Sequence, residues 1–176
     1  MHSIDLRSIL EDTVSARYGD LVTRNTGRAV RGGIEQVLAQ NEGQQTTVID
    51  FTDVGCLDIS CADEIVGKLL LTHGRGRYFL LRGVTEAHCE AIDMVLERHG
   101  LAAVAFDRHG QLGLLGPLTD TTRRAFDAVA RNGRVGADQL AAWLDLPTEA
   151  TRQALDELLE LRLVQQEAGG YRALSL

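Results

Sequence analysis

The spacing of apolar positions changes several times along the chain, and each change marks an element. Thr46 to Phe51 ("TTVIDF") is β-branched and nearly continuous, which predicts a central strand buried on both faces. "RYFLLRGV", from Arg77 to Val84, predicts a second buried strand. Between and around these runs the apolar period becomes helical. Ala29, Val30, Ile34, Val37 and Leu38 share one side of a helix from Thr26 to Gln40, with the Gly32-Gly33 pair as its weak point. Ala62, Ile65, Val66, Leu69 and Leu70 form the inner stripe of a helix from Ser60 to Gly74. A third helix runs from Thr85 and ends at Gly100, a left-handed cap signal. Ser3 to Leu6 reads as a short first strand, and Ala103 to Gly116 as two short strands around His109-Gly110. The order β-α-β-α-β-α-β-β predicts an α/β fold with a mostly parallel sheet.

The pattern then changes character. Gly116-Pro117 punctuates the chain and Asp120 precedes a new helical period, so residues 1–116 and 117–176 are expected to be separate domains. Phe126, Val129 and Ala130 face inward on a helix that Gly133 ends. Gly136 to Asp145 is a short helix. Thr148 to Arg162 is a longer one, with Ala150, Ala154, Leu155, Leu158 and Leu159 inward. The tail from Leu163 is a hairpin turning at Gly169-Gly170. Three helices and a β-hairpin in this length are expected to make a mainly α winged helix-turn-helix domain with a β-hairpin wing.

Two resemblances follow from these segments. Ile49-Asp50-Phe51, then Val54, then Asp58-Ile59-Ser60-Cys61 resembles the STAS domain of anti-sigma-factor antagonists: a buried strand ending in Asp, a short loop and Asp-Ser-Ser-Gly opening a helix. Ile59 replaces the first Ser of that pattern and Cys61 the Gly. Ala62-Asp63-Glu64 and Val22-Thr23-Arg24 are similar to features of an uncharacterised STAS-like branch. The resemblance covers residues 1 to 116 and implies an α/β partner-binding domain in which Ser60 takes the place of the phosphorylated serine and Asp58 the acid before it. The remainder resembles winged helix regulators through Leu140-Ala141, Leu144, Leu146, Leu155, Leu158 and Leu163-Val164, with Asp145 and Arg162 standing where Gly is usual.

Composition narrows the function classes. Of 176 residues 44% are hydrophobic and 24% charged, ordinary for a globular chain. The net charge of −7 opposes a principal role in holding a polyanion. No apolar run approaches the ~20 residues needed to cross a bilayer. The N-terminus carries acids and no signal-peptide core, so a cytoplasmic location without membrane partners is expected. Cys56, Cys61 and Cys89 read as reduced thiols without metal-ligand spacing, so no metal or cofactor is expected. No dinucleotide, P-loop, zincin or nucleophile-elbow motif is present, and the expectation is a protein that is not an enzyme.

Ser60 has two readings. It can cap its helix, with Asp63 three residues on completing a capping box. The cap is the expected reading; the alternative is a phosphorylation switch with Asp58, since a phosphate at a helix N-terminus meets free N–H groups and adds charge to a partner surface, against the repulsion of Asp58, Asp63 and Glu64. Cys56 and Cys61 flank the same loop and allow a third use, a thiol switch favoured by the helix N-terminus but opposed by the neighbouring acids; buried structural thiols are the expectation. In the second half, Thr148, Thr151, Arg152 and Gln153 at the start of the recognition helix and Arg172 on the wing are the candidate contacts to DNA or to a protein. Seven arginines face nine acids in residues 117–176, a balance of −2 that weakens the DNA case; a homodimer would double the arginines. The expected function is therefore a transcription-related regulator joining a STAS-like signal or partner-binding domain to a winged helix. The alternative is an interaction switch of the antagonist type, its partner a kinase or anti-sigma-like protein, with a winged helix that binds protein and not DNA.

Overall fold

The computed structural model describes residues 1–14 and 19–176, which divide into two compact units, Met1–Pro117 and Leu118–Leu176. Among the described residues no helix is long and apolar enough to cross a membrane.

The N-terminal unit is an α/β layer. Strands β1 (His2–Asp5), β2 (Thr46–Asp50), β3 (Tyr78–Val84), β4 (Ala103–Asp107) and β5 (Leu112–Leu115) form one sheet in the order β1-β2-β3-β4-β5. The first four are parallel and β5 returns antiparallel along β4. Parallel neighbours require helical crossovers. These are α1 (Leu6–Val14) with α2 (Arg24–Gln40), then α3 (Ile59–Ala62) continuing into α4 (Leu69–His73), then α5 (Glu86–His99). Between α3 and α4, Asp63–Lys68 is a π-helical stretch, a widened turn that is often associated with functional sites.

Strand alternation explains the continuous apolar runs. Ile49, Phe51, Phe79, Leu81, Ala103 and Ala105 join the helix stripes Val30, Ile34, Ile65, Leu69, Ile92 and Val95 in one core. The intervening register row of Val48, Leu80 and Val104 is buried as well, so neither face of the central strands shows a polar period. Gly27 lets α2 approach α3 closely: a Cβ there would lie 2.8 Å from the Cα of Cys61.

Three details of this unit differ from the sequence expectation. Helix α1 is an addition: Leu6 and Leu10 are buried and Ile9 packs partly buried against the core, a stripe little more than one turn long. The first strand begins at His2 and ends at Asp5, and Leu6 already belongs to α1. The single helix expected from Ser60 is interrupted by the π-helical stretch.

The C-terminal unit contains α6 (Asp120–Asn132), α7 (Ala137–Leu144), α8 (Thr148–Glu160) and the hairpin β6 (Val164–Glu167) with β7 (Gly170–Ala173). Thr119 caps α6, its hydroxyl accepting from the Thr122 N–H at 3.1 Å. Phe126, Val129, Leu140, Leu155, Leu158 and Val164 are buried. Val135 bonds to Tyr171 in both directions, at 3.0 and 2.9 Å, and so widens the hairpin by one bridge. Asp145 and Arg162 take positive φ, 52° and 58°, the left-handed conformation that glycine fills at such turns. The hairpin turns at Ala168-Gly169, one residue earlier than expected, since Glu167 pairs with Gly170.

Candidate interaction site

The site is built from the loop that leaves β2. Asp50 holds the strand end: its carboxylate accepts from the Thr52 N–H at 3.0 Å and pairs with Arg82 on the neighbouring strand. The chain then runs through residues 55–58 alongside residues 19–23. Gly55 N–H donates to Gly19 O, Leu21 N–H to Cys56 O and Asp58 N–H to Leu21 O, at 2.8, 2.7 and 3.0 Å. His88 supports this loop from α5. Its Nδ1 accepts from the Thr85 N–H, which puts the proton on Nε2, and Nε2 donates to Gly55 O at 2.9 Å. Burial lowers the His88 pKa below its ordinary value.

Asp58, not Ser60, caps the helix. Its Oδ1 accepts from the Cys61 N–H at 2.7 Å and from the Ser60 hydroxyl at 2.8 Å, while Oδ2 accepts from the Thr23 N–H at 3.0 Å. Ser60 is already the second residue of α3, so its side chain lies beside the cap. Asp63 is engaged elsewhere and closes no capping box. Burial pushes the Asp58 pKa up, but the Cys61 and Thr23 N–H groups and the Ser60 hydroxyl outweigh it and leave the carboxylate below its ordinary value. The Thr23 bond is unusual. Thr23 caps α2 yet has φ 76°, a strained conformation for a β-branched residue. One carboxylate thus ties together the first turns of two helices.

The thiol-switch alternative finds no support at Cys61, which is the buried structural thiol that the sequence favours. Cys61 is fully buried and its thiol donates to Thr23 O at 2.9 Å. Burial first, then the Asp58 charge, pushes its pKa up to about 12, which makes it an inert thiol.

The segments Val22-Thr23-Arg24 and Ala62-Asp63-Glu64 meet in space. Arg24 Nη1 bonds Asp63 at 2.8 Å and Glu64 at 3.0 Å. Glu64 is fully buried and also receives Arg31 at 3.2 Å and Lys68. Asp63 pairs with His99 Nε2 at 2.8 Å. Burial raises both acid pKa values, and their hydrogen-bonded partners bring them back below ordinary, with His99 and Arg24 acting on Asp63 and Lys68 and Arg24 on Glu64. The π-helical stretch carries both acids, so the Asp58 cap and the ion cluster follow each other on one continuous helix. Val22 and Ile59, 45% and 38% exposed, flank the Thr23–Asp58 bond and give the same end an apolar border.

No protein-family model matches the chain, and no curated protein does. Geometry carries the functional argument.

On the second unit the expected contact residues fare differently. Thr151 is fully buried and its hydroxyl donates to Pro147 O at 3.3 Å, so it is removed from the candidate contacts: it faces the helix core. Thr148, Arg152 and Gln153 are exposed. Gln153 reaches Glu149 at 3.5 Å, and Arg152 lies 3.8 Å from Asp138. Arg172 pairs with Glu167 at 3.0 Å, and Arg134 pairs with the same carboxylate at 2.9 Å. The exposed face of α8 also carries Glu149, Asp156 and Glu160.

Proposed function

We propose that the chain is a regulatory protein without catalytic activity, a STAS-like partner-binding unit followed by a winged helix that docks protein. The observation that carries the proposal is the Asp58 hub. The Ser60 hydroxyl touches the carboxylate that clamps Thr23 and Cys61, so a phosphate on Ser60 would set about two negative charges against Asp58. Repulsion would release the Thr23 N–H, relax its strained φ and free the Val22–Ile59 border. A covalent mark at one hydroxyl would in this way be read by a partner surface. The buried strand, short loop and capped helix of the first unit support the STAS-like reading; three helices and a hairpin support the winged-helix reading.

The acidic surface of α8 favours protein over DNA. Three exposed carboxylates stand against Arg152 on that helix, and Arg134 and the wing's Arg172 share the Glu167 carboxylate, which offsets one of their two charges. A DNA-binding regulator would have to work through Thr148, Arg152 and Gln153 with little phosphate attraction. Fluorescence anisotropy of the purified chain with fragments of its own genome, at low and moderate salt, tests the choice. The expected result is no saturable binding even at low salt. Saturable binding that weakens steeply with salt and is lost in Arg152→Ala would make the chain a DNA regulator.

A further inference from the structure

A groove between α6 and α7 carries chemistry that the Asp58 site does not use. Its volume is about 600 Å³. Helix α6 supplies Arg124, Asp127, Arg131 and Asn132, and α7 supplies Trp143 and Leu144. Positions three, four and seven apart share a helix face, so the two arginines flank Asp127 along one line about 10 Å long. The Arg124 guanidinium donates to Leu144 O at 2.9 Å and so bridges the two helices. Among the described residues neither Arg124 nor Arg131 has a carboxylate partner, whereas Arg134, Arg152 and Arg172 each have one. Trp143 is 48% exposed beside them. An open indole next to two unneutralised guanidiniums combines the side-chain types that dominate protein-binding hot spots.

We propose that this groove binds an acidic peptide segment of a partner protein, with an apolar side chain against Trp143 and carboxylates on Arg124 and Arg131. The guanidinium fork suits a carboxylate in two-point contact. Asp127 argues against a nucleic-acid backbone: it sits between the arginines and offers only acceptors, and a phosphodiester backbone brings no donor to meet it. A peptide main chain brings N–H donors that satisfy it. The inference deepens the protein-docking reading of the C-terminal unit and rests on it, while locating the contact on α6 and α7 and not on α8.

Trp143 is the only tryptophan of the chain, so its emission reports the groove directly. The experiment titrates the full chain with a short peptide alternating glutamate and leucine. The expected result is a saturable blue shift that weakens with salt and is about tenfold or more weaker in Arg131→Ala, with unchanged far-UV circular dichroism. Arg131→Lys, which keeps the charge and loses the fork, should fall between the two. No saturable shift, equal affinity for the peptide with lysine in place of glutamate, or an unchanged Arg131→Ala titration would overturn the groove. A tighter response to oligothymidine than to the peptide would also overturn it, by making the groove a nucleic-acid site. Saturable DNA binding that is lost in Arg152→Ala, with the peptide response intact, would instead remove the protein-docking reading of α8 and leave the groove standing.

Discussion

Replacing Asp58 with alanine removes three hydrogen bonds at once, and the structure ranks them. The Cys61 N–H loses its cap, worth about 1 kcal/mol. The Thr23 N–H loses its acceptor, which costs about 1 kcal/mol and leaves a strained φ with less to hold it. The Ser60 hydroxyl turns to water at small cost. The sum is about 2–3 kcal/mol. Ser60→Ala removes only the hydroxyl bond and leaves both N–H bonds to Asp58, so about 0.5–1 kcal/mol is expected. For a unit of this size, Asp58→Ala should lower Tm by roughly 8–12 °C and Ser60→Ala by less than about 5 °C. Calorimetry is the appropriate readout, because the single tryptophan lies in the other unit. If Ser60→Ala cost as much as Asp58→Ala, Ser60 would be the cap and the hub would be refuted. An Asp58→Ala variant within about 0.5 kcal/mol of the parent would refute it equally.

Glu64→Leu tests the ion cluster. It leaves Arg24, Arg31 and Lys68 without their shared buried acid, and it should cost about 3 kcal/mol in denaturant unfolding, the low end of the range because the cations reach solvent; a neutral result would show that the cluster contributes specificity only. His88 gives a pH signature. Its folded pKa is lowered, so the unfolded chain binds the extra proton first and stability falls as pH drops below the ordinary histidine value of 6.5. Tm measured between pH 7.5 and 5.5 should decline less steeply in His88→Gln than in the parent; parallel slopes would contradict the assignment of a neutral Nε2–H imidazole. In acid, Asp50, Asp58, Asp63 and Glu64 all have lowered pKa values, so their stabilisation is full above about pH 5 and is lost on descending through pH 4 and below. Unfolding should therefore steepen there, and a flat profile down to pH 3 would count against the pairings.

The sheet was legible because β2 and β3 are buried on both faces and read as unbroken apolar runs. Helix α5 was legible because Gly100 ends it at φ 62°. Helix α1 was less so, since its stripe of Leu6, Ile9 and Leu10 spans little more than one turn. The cap was misassigned for a local reason: Asp58 and Ser60 are both good capping residues two positions apart, and the tie is broken by Thr23, 35 residues away in sequence. The ion cluster was hidden in the same way. Only Glu64 and Lys68, one helical turn apart, announce it; Arg24 reaches it from 39 and 40 residues upstream. Threonine is chemically suited to a contact, but the period of α8 turns Thr151 inward with Ala154, Leu155 and Leu158.

The switch at Asp58 and Ser60 is tested most directly by amide hydrogen exchange at Thr23 and Cys61 in the parent, in Ser60→Ala and in Ser60→Asp, paired with co-purification from the organism's own cells. The account predicts that both amides exchange faster in Ser60→Asp alone, and that the same variant changes recovery of a specific protein by about tenfold, a difference of ~1.4 kcal/mol. Unchanged exchange with identical protein profiles in all three would contradict it.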